Sequence, residues 1–125
     1  SYWQQLYSQL AGDGLTTDQQ QQLRTLLQAS LFLGRTLSQQ PELLMLLVDN
    51  AELARQLEQP WQNPLTDIDL NDETAVYRSL RRYRNRALSI LLCADIYQLQ
   101  SIEQSLARVS SLADCLISSA YHWAY

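Results

Sequence analysis

YRSLRRYRNRALSILLCAD, residues 77–95, decides the fold. Val76, Leu80, Tyr83, Ala87, Ile90, Leu91 and Ala94 recur at three- and four-residue intervals, the spacing of one helix face. Asp72 stands where an N-cap belongs, and Glu73 follows near the positive end of the helix dipole. From Glu73 to about Leu99 the predicted helix is roughly 40 Å long at 1.5 Å per residue. Five of the nine arginines fall between Arg78 and Arg86. With Val76 at the centre of the buried stripe, Arg78, Arg81 and Arg82 point away from it. Arg84 and Arg86 flank the stripe on opposite sides, where a guanidinium fork reaches carboxylates or phosphates. An ion-pair role is expected for these two, and a solvated face for the other three.

Downstream, Leu106, Val109, Leu112, Ala113, Leu116, Ile117, Ala120 and Trp123 carry a second helical face. Ser101 is its expected cap and Gln104 completes a capping box. The two helices are predicted to form a long antiparallel hairpin over residues 72–125. Upstream, Trp3, Leu6, Tyr7 and Leu10 mark a short helix over Tyr2–Leu10 that Gly12-Asp13-Gly14 ends. Thr16 or Thr17 caps a second helix that runs through Leu37, with Gly34 at a close helix contact. Pro41 restarts the helix, and Asn50 caps another through about Leu57. Residues 59–71, with Pro60 and Pro64, read as a linker. The fold class expected is all-α: a bundle of about five helices in a single domain, with N-terminal helices over residues 1–58.

Composition agrees. The 125 residues carry 46% hydrophobic and 18% charged side chains, a globular balance for about one domain. Leu and Gln are abundant, and only three glycines and three prolines interrupt. The formal net charge is −4, and every basic residue is arginine. Outside residues 78–86, four arginines face thirteen acidic groups, which argues against a general nucleic-acid binder. No apolar run approaches the roughly 20 residues that cross a bilayer, and no leader pattern opens the chain. A cytoplasmic location with neither nucleic acid nor membrane as partner is expected.

Few residues invite chemistry. Asp67, Asp69 and Asp72 in TDIDLND resemble hard-cation ligands, but the spacing lacks the glycine and glutamate of a calcium loop. A polar linker ending in a helix cap explains them. His122 is the one histidine and has no nucleophile motif beside it. Cys93 and Cys115 lie in apolar helical patterns, which suits reduced core thiols better than zinc or a disulfide. No catalytic, cofactor-binding or metal residue is assigned.

LRRYRNRALSILLCADI followed by SLARVSSLADCLISSAYHWAY resembles the bifunctional glutamine synthetase adenylyltransferase/adenylyl-removing enzymes. The match runs through Leu80, Arg81, Tyr83, Arg84, Arg86 and Asp95. It continues through Leu112, Ala113, Asp114, Leu116, Ile117, Ala120 and Trp123. SQQPELL, residues 38–44, and the opening YWQQL fit the same N-terminal region. Asn85 and Ile90 stand where the family commonly has arginine.

The resemblance implies a nucleotidyltransferase that attaches AMP to, or removes it from, a tyrosine of glutamine synthetase. Magnesium and ATP serve that parent enzyme, and the PII signal protein sets its direction. The resemblance also implies that this helical segment precedes the nucleotidyltransferase core and is itself catalytically silent. Arg84 and Arg86 are then the expected contacts to that core. The competing readings are a free-standing helical interaction module and an RNA-binding helical domain. A reading frame that continues into a Gly-Ser turn and Asp-x-Asp favours the enzyme. Steeply salt-dependent RNA affinity would favour the third.

Overall fold

The computed structural model describes residues 2–11 and 14–125. Seven α-helices and one 3-10 turn make up the regular structure of these residues, and they form no strand. α1 spans Tyr2–Leu10, as its periodicity predicts. The stop expected at Gly12-Asp13 lies outside the described residues.

α2 spans Thr17–Ala29, with Thr16 and Gln19 closing a reciprocal capping box. The expected continuation through Leu37 does not occur. Ser30 takes extended backbone (φ −151°, ψ 119°) and breaks the helix. Its hydroxyl accepts the Leu33 N–H at 3.2 Å and starts α3, Leu31–Gln39. A serine hydroxyl supplies an N-cap as readily as it tolerates a helix interior, and here the cap wins. Gly34 sits on the buried side of α3. A β-carbon there would stand 2.8 Å from a methyl of Leu6, so glycine lets α1 and α3 approach.

Pro41 opens the 3-10 turn Pro41–Leu43, followed by α4, Leu44–Leu47. α5, Asn50–Leu57, is capped by Asp49 rather than Asn50, since the Asp49 carboxylate accepts the Glu52 N–H. α6, Glu73–Ile96, is capped by Asp72 through the Ala75 N–H. It ends in a Schellman arrangement. Leu99 N–H reaches the Ala94 carbonyl, and Gln98 N–H reaches that of Asp95. Gln98 holds the left-handed φ of 57°. α7, Ile102–Ala124, opens on the Ser101–Gln104 capping box. Near the turn, Ser105 Oγ–H donates to Asp95. At the far end the rings of Tyr77 and Trp123 meet edge to face at 5.4 Å. α7 therefore runs back along α6.

The core gathers leucines of α2 to α5 against Ala87, Ile90, Leu91, Cys93 and Ala94 of α6. Residues 59–71 are non-helical and lie strapped across α6 and α7. Trp61 Nε1–H donates to the Arg108 carbonyl (3.1 Å), and Trp123 Nε1–H donates to that of Leu70 (3.0 Å). Ser79 Oγ–H donates to the Pro64 carbonyl, and the Tyr83 hydroxyl accepts the Gln62 N–H. Leu65 is the strap's own buried side chain.

Candidate functional site

The arginine helix places its side chains in two groups. Arg78, Arg82 and Arg86 follow each other by four residues, one turn or about 6 Å apart along a single face. They form one wall of a cleft of about 410 Å³, and the strap supplies Pro64 and Ile68 opposite. Arg81 and Arg84 stand exposed, outside this cleft.

The ion pairs expected of Arg84 and Arg86 are absent among the described residues. Two nitrogens of Arg84 donate to the amide oxygen of the adjacent Asn85, at 3.3 and 3.2 Å. Arg86, half-buried, donates to Gln56 Oε1 at 3.3 Å. Both partners are neutral, so neither positive charge is cancelled. Among the described residues, Arg82 alone of the five meets a carboxylate, Glu42 Oε1 at 3.2 Å. Arg78 has no partner among the described residues. Arg86 also faces a second cleft of about 490 Å³, beside Trp61, Tyr83, Glu52 and Arg55.

The face of α7 departs from expectation. Leu112 is buried, with Leu116 and Ala120 half-buried. Leu106, Val109 and Ile117 are 64%, 41% and 67% exposed, and Ala113 is exposed too. With Ile102 and Tyr121 they form a stripe along the helix that is left largely exposed among the described residues. The apolar residues of α7 exceed one face, and α6 with the strap covers only the side centred on Leu112. Periodicity locates such a stripe but does not say what lies against it.

The remaining candidates fall to structural roles. The carboxylates of residues 67–72 do not gather into one ligand set. Asp72 caps α6, and Asp69 accepts its own turn's Asn71 N–H. They do not fit a magnesium centre. Among the described residues no other cluster suited to a metal occurs. His122 is exposed beside Tyr121 on α7. Gln40 was not anticipated: it is buried, and its amide donates to the Arg82 carbonyl at 3.2 Å. No sequence signal marks a side chain whose partner is a backbone carbonyl 42 residues away.

Both cysteines are free, Cys93 buried and Cys115 half-buried. Burial pushes the Cys93 thiol up to about 12. Burial also raises the Tyr97 phenol, whose hydroxyl donates to the Gln22 carbonyl, and the Cys93 charge adds to this. Both groups are neutral in the fold and ionise more readily once unfolded. Their contribution is complete below the unfolded pKa values and is lost as pH climbs towards the folded ones. Stability is expected to fall above about pH 9, by about 1.4 kcal/mol per pH unit per ionising group. Native alkylation should label Cys115 first, with Cys93 reacting only on unfolding. Mass spectrometry of iodoacetamide-treated protein checks this, and equal labelling would contradict it.

Residues 20–125 match the family model described as glutamate-ammonia ligase adenylyltransferase. Similar curated proteins carry the name bifunctional glutamine synthetase adenylyltransferase/adenylyl-removing enzyme. The one from Alteromonas mediterranea is 29% identical over 99% of this chain and 16% of its own length. That of Shewanella oneidensis is 33% identical over 89% of this chain and 12% of its own. That of Shewanella loihica is 30% identical over 99% and 13%. The chain thus spans about one sixth or less of these relatives. No solved structure matches it. No helix among the described residues is long and apolar enough to cross a membrane.

Proposed function

We propose that this chain, which belongs to the glutamate-ammonia ligase adenylyltransferase family, is a non-catalytic helical part of an enzyme that adenylylates and deadenylylates glutamine synthetase. Its work is to pack against the nucleotidyltransferase core of that enzyme and so help position it. The hairpin of α6 and α7 is the docking element, and Arg84 and Arg86 are contacts to the core. In this reading the core holds the magnesium and ATP, the PII signal protein governs its direction, and the whole acts in the cytoplasm.

The observation that carries the reading is the apolar stripe of α7. An isolated domain rarely leaves Ile102, Leu106, Val109, Ile117 and Tyr121 contiguous and wet. A relative six or more times longer has polypeptide available to cover them.

Mixing residues 1–125 with a separately produced catalytic portion of the same enzyme tests it. Calorimetry should detect binding. Leu106→Glu/Ile117→Glu should weaken it about a hundredfold or more, since each side chain loses 1.5–3 kcal/mol of burial. Wild-type affinity in the double variant, or no binding at all, would overturn the reading.

A further inference from the structure

The apolar stripe of α7 is edged with acid on both sides. Each helical residue turns about 100° from the last, so Ile102, Ala113 and Ile117 fall within about 40° of Leu106. Glu103 and Asp114 fall at about 60° and 80°, together along one edge. Both are exposed. Ser105 falls at about 100° on the other side, where its hydroxyl donates to Asp95 of α6. Asp95 lines a groove of about 270 Å³ with Val109 of α7, Leu88 and Leu92 of α6 and Phe32 of α3. It also lines a cleft of about 410 Å³ with Ile102 and Leu106.

This negative charge is not cancelled. Among the described residues, none of the three carboxylates forms an ion pair. Asp95 accepts from the Gln100 amide and the Ser105 hydroxyl, and both donors are neutral. No basic side chain lines the groove or the cleft. Arg108 lies on the far side of α7 and is held by Gln100 and Glu58.

Resting on the reading that the catalytic portion of the enzyme covers this stripe, we infer that the covering element is an amphipathic helix with lysines or arginines along both flanks of its apolar face. Ile102 and Tyr121 are about 28 Å apart along α7, which a helix of about five turns matches. α6 and α7 run side by side, and the groove beside Val109 lies between them. A third helix seats in such a groove at a small crossing angle, through apolar residues three and four apart. A strand does not suit the site. The main chains of α6 and α7 satisfy their own polar groups, so a strand buried there keeps unpaired N–H and C=O groups. A second copy of this chain does not suit it either. Paired in either direction, its α7 sets an acidic edge against an acidic edge. The same three carboxylates repel an anionic lipid surface. A basic-flanked helix is attracted at both edges, and by a chain whose formal net charge is −4.

Calorimetry of the 125-residue chain with the separately produced catalytic portion tests this through the edges of the stripe. Glu103→Gln/Asp114→Asn should weaken binding about threefold to tenfold and reduce its dependence on salt. Asp18→Asn/Asp67→Asn removes the same formal charge away from the stripe and should bind as the parent does. Circular dichroism confirms that each variant folds. Hydrogen exchange on the catalytic portion should show one helix protected on binding, with lysines or arginines beside its apolar face. Parent affinity in Glu103→Gln/Asp114→Asn, or an equal loss in the remote pair, would overturn the inference. So would protection confined to a strand, a loop or an acid-flanked helix, or a dimer of the chain alone that Leu106→Glu/Ile117→Glu disperses. Docking to the core survives those results if Leu106→Glu/Ile117→Glu still weakens the calorimetric binding. Absence of binding by the parent chain overturns both.

Discussion

Leu53→Ala lowers the stability of the domain by about 2–5 kcal/mol, a large fraction of what a domain of this size possesses. Leu53 is fully buried on α5, among the leucines that close against α6. Removing its methyl groups forfeits their transfer free energy and leaves a cavity that a helix pair only partly collapses into. The core that holds it is built largely of leucines and closely packed, so the space is not refilled cheaply. Leu106→Ala is the matched comparison. The same atoms leave a side chain that is 64% exposed, and the expected cost is below about 1 kcal/mol. Urea unfolding followed by circular dichroism measures both. Equal costs would mean that α5 is not seated on α6.

Ser89→Ala has the opposite sign. Ser89 lies on the buried side of α6 with no exposed surface. Its hydroxyl has no hydrogen-bond partner among the described residues. A buried hydroxyl without a partner costs about 1–3 kcal/mol in lost hydration, and alanine removes that cost with almost no change in shape. Alanine is also the better helix former. The variant should be more stable by about 1–2 kcal/mol, with Tm several degrees higher. A lower Tm would mean that the hydroxyl has a partner and that Ser89 holds a contact rather than storing a cost.

The sequence spoke clearly at three helix starts, though not at Ser30 or Asp49, whose caps are as local. Thr16 with Gln19, Asp72 with Ala75, and Ser101 with Gln104 are caps whose whole chemistry spans three residues, and each forms. The break at Ser30 stayed hidden because the leucines continue their period through it. Helix geometry set Arg78, Arg81 and Arg82 apart from Arg84 and Arg86, whereas the fold lines one cleft with Arg78, Arg82 and Arg86, and the long-range partners were not legible. Gln56 lies 30 residues from Arg86 and Glu42 lies 40 from Arg82, separations that only folding brings together. The family resemblance, by contrast, lay in the order of LRRYRNR and SLADCLI, and the family match over residues 20–125 agrees with it. The composition of residues 59–71 suggested a tether. Its two indole bonds end on main-chain oxygens, which leave no mark in the sequence.

That strap has a consequence for how the protein is made. A ribosome adds about 5–20 residues each second. Trp61 cannot find the carbonyl of Arg108 until 47 more residues have emerged, nor Leu70 the indole of Trp123 until 53 have. For about 3–10 seconds of synthesis neither indole bond can form, and the segment is held only by Ser79 and Tyr83 of α6. The last turn of α7 acts as a latch, and the strap locks only when it arrives.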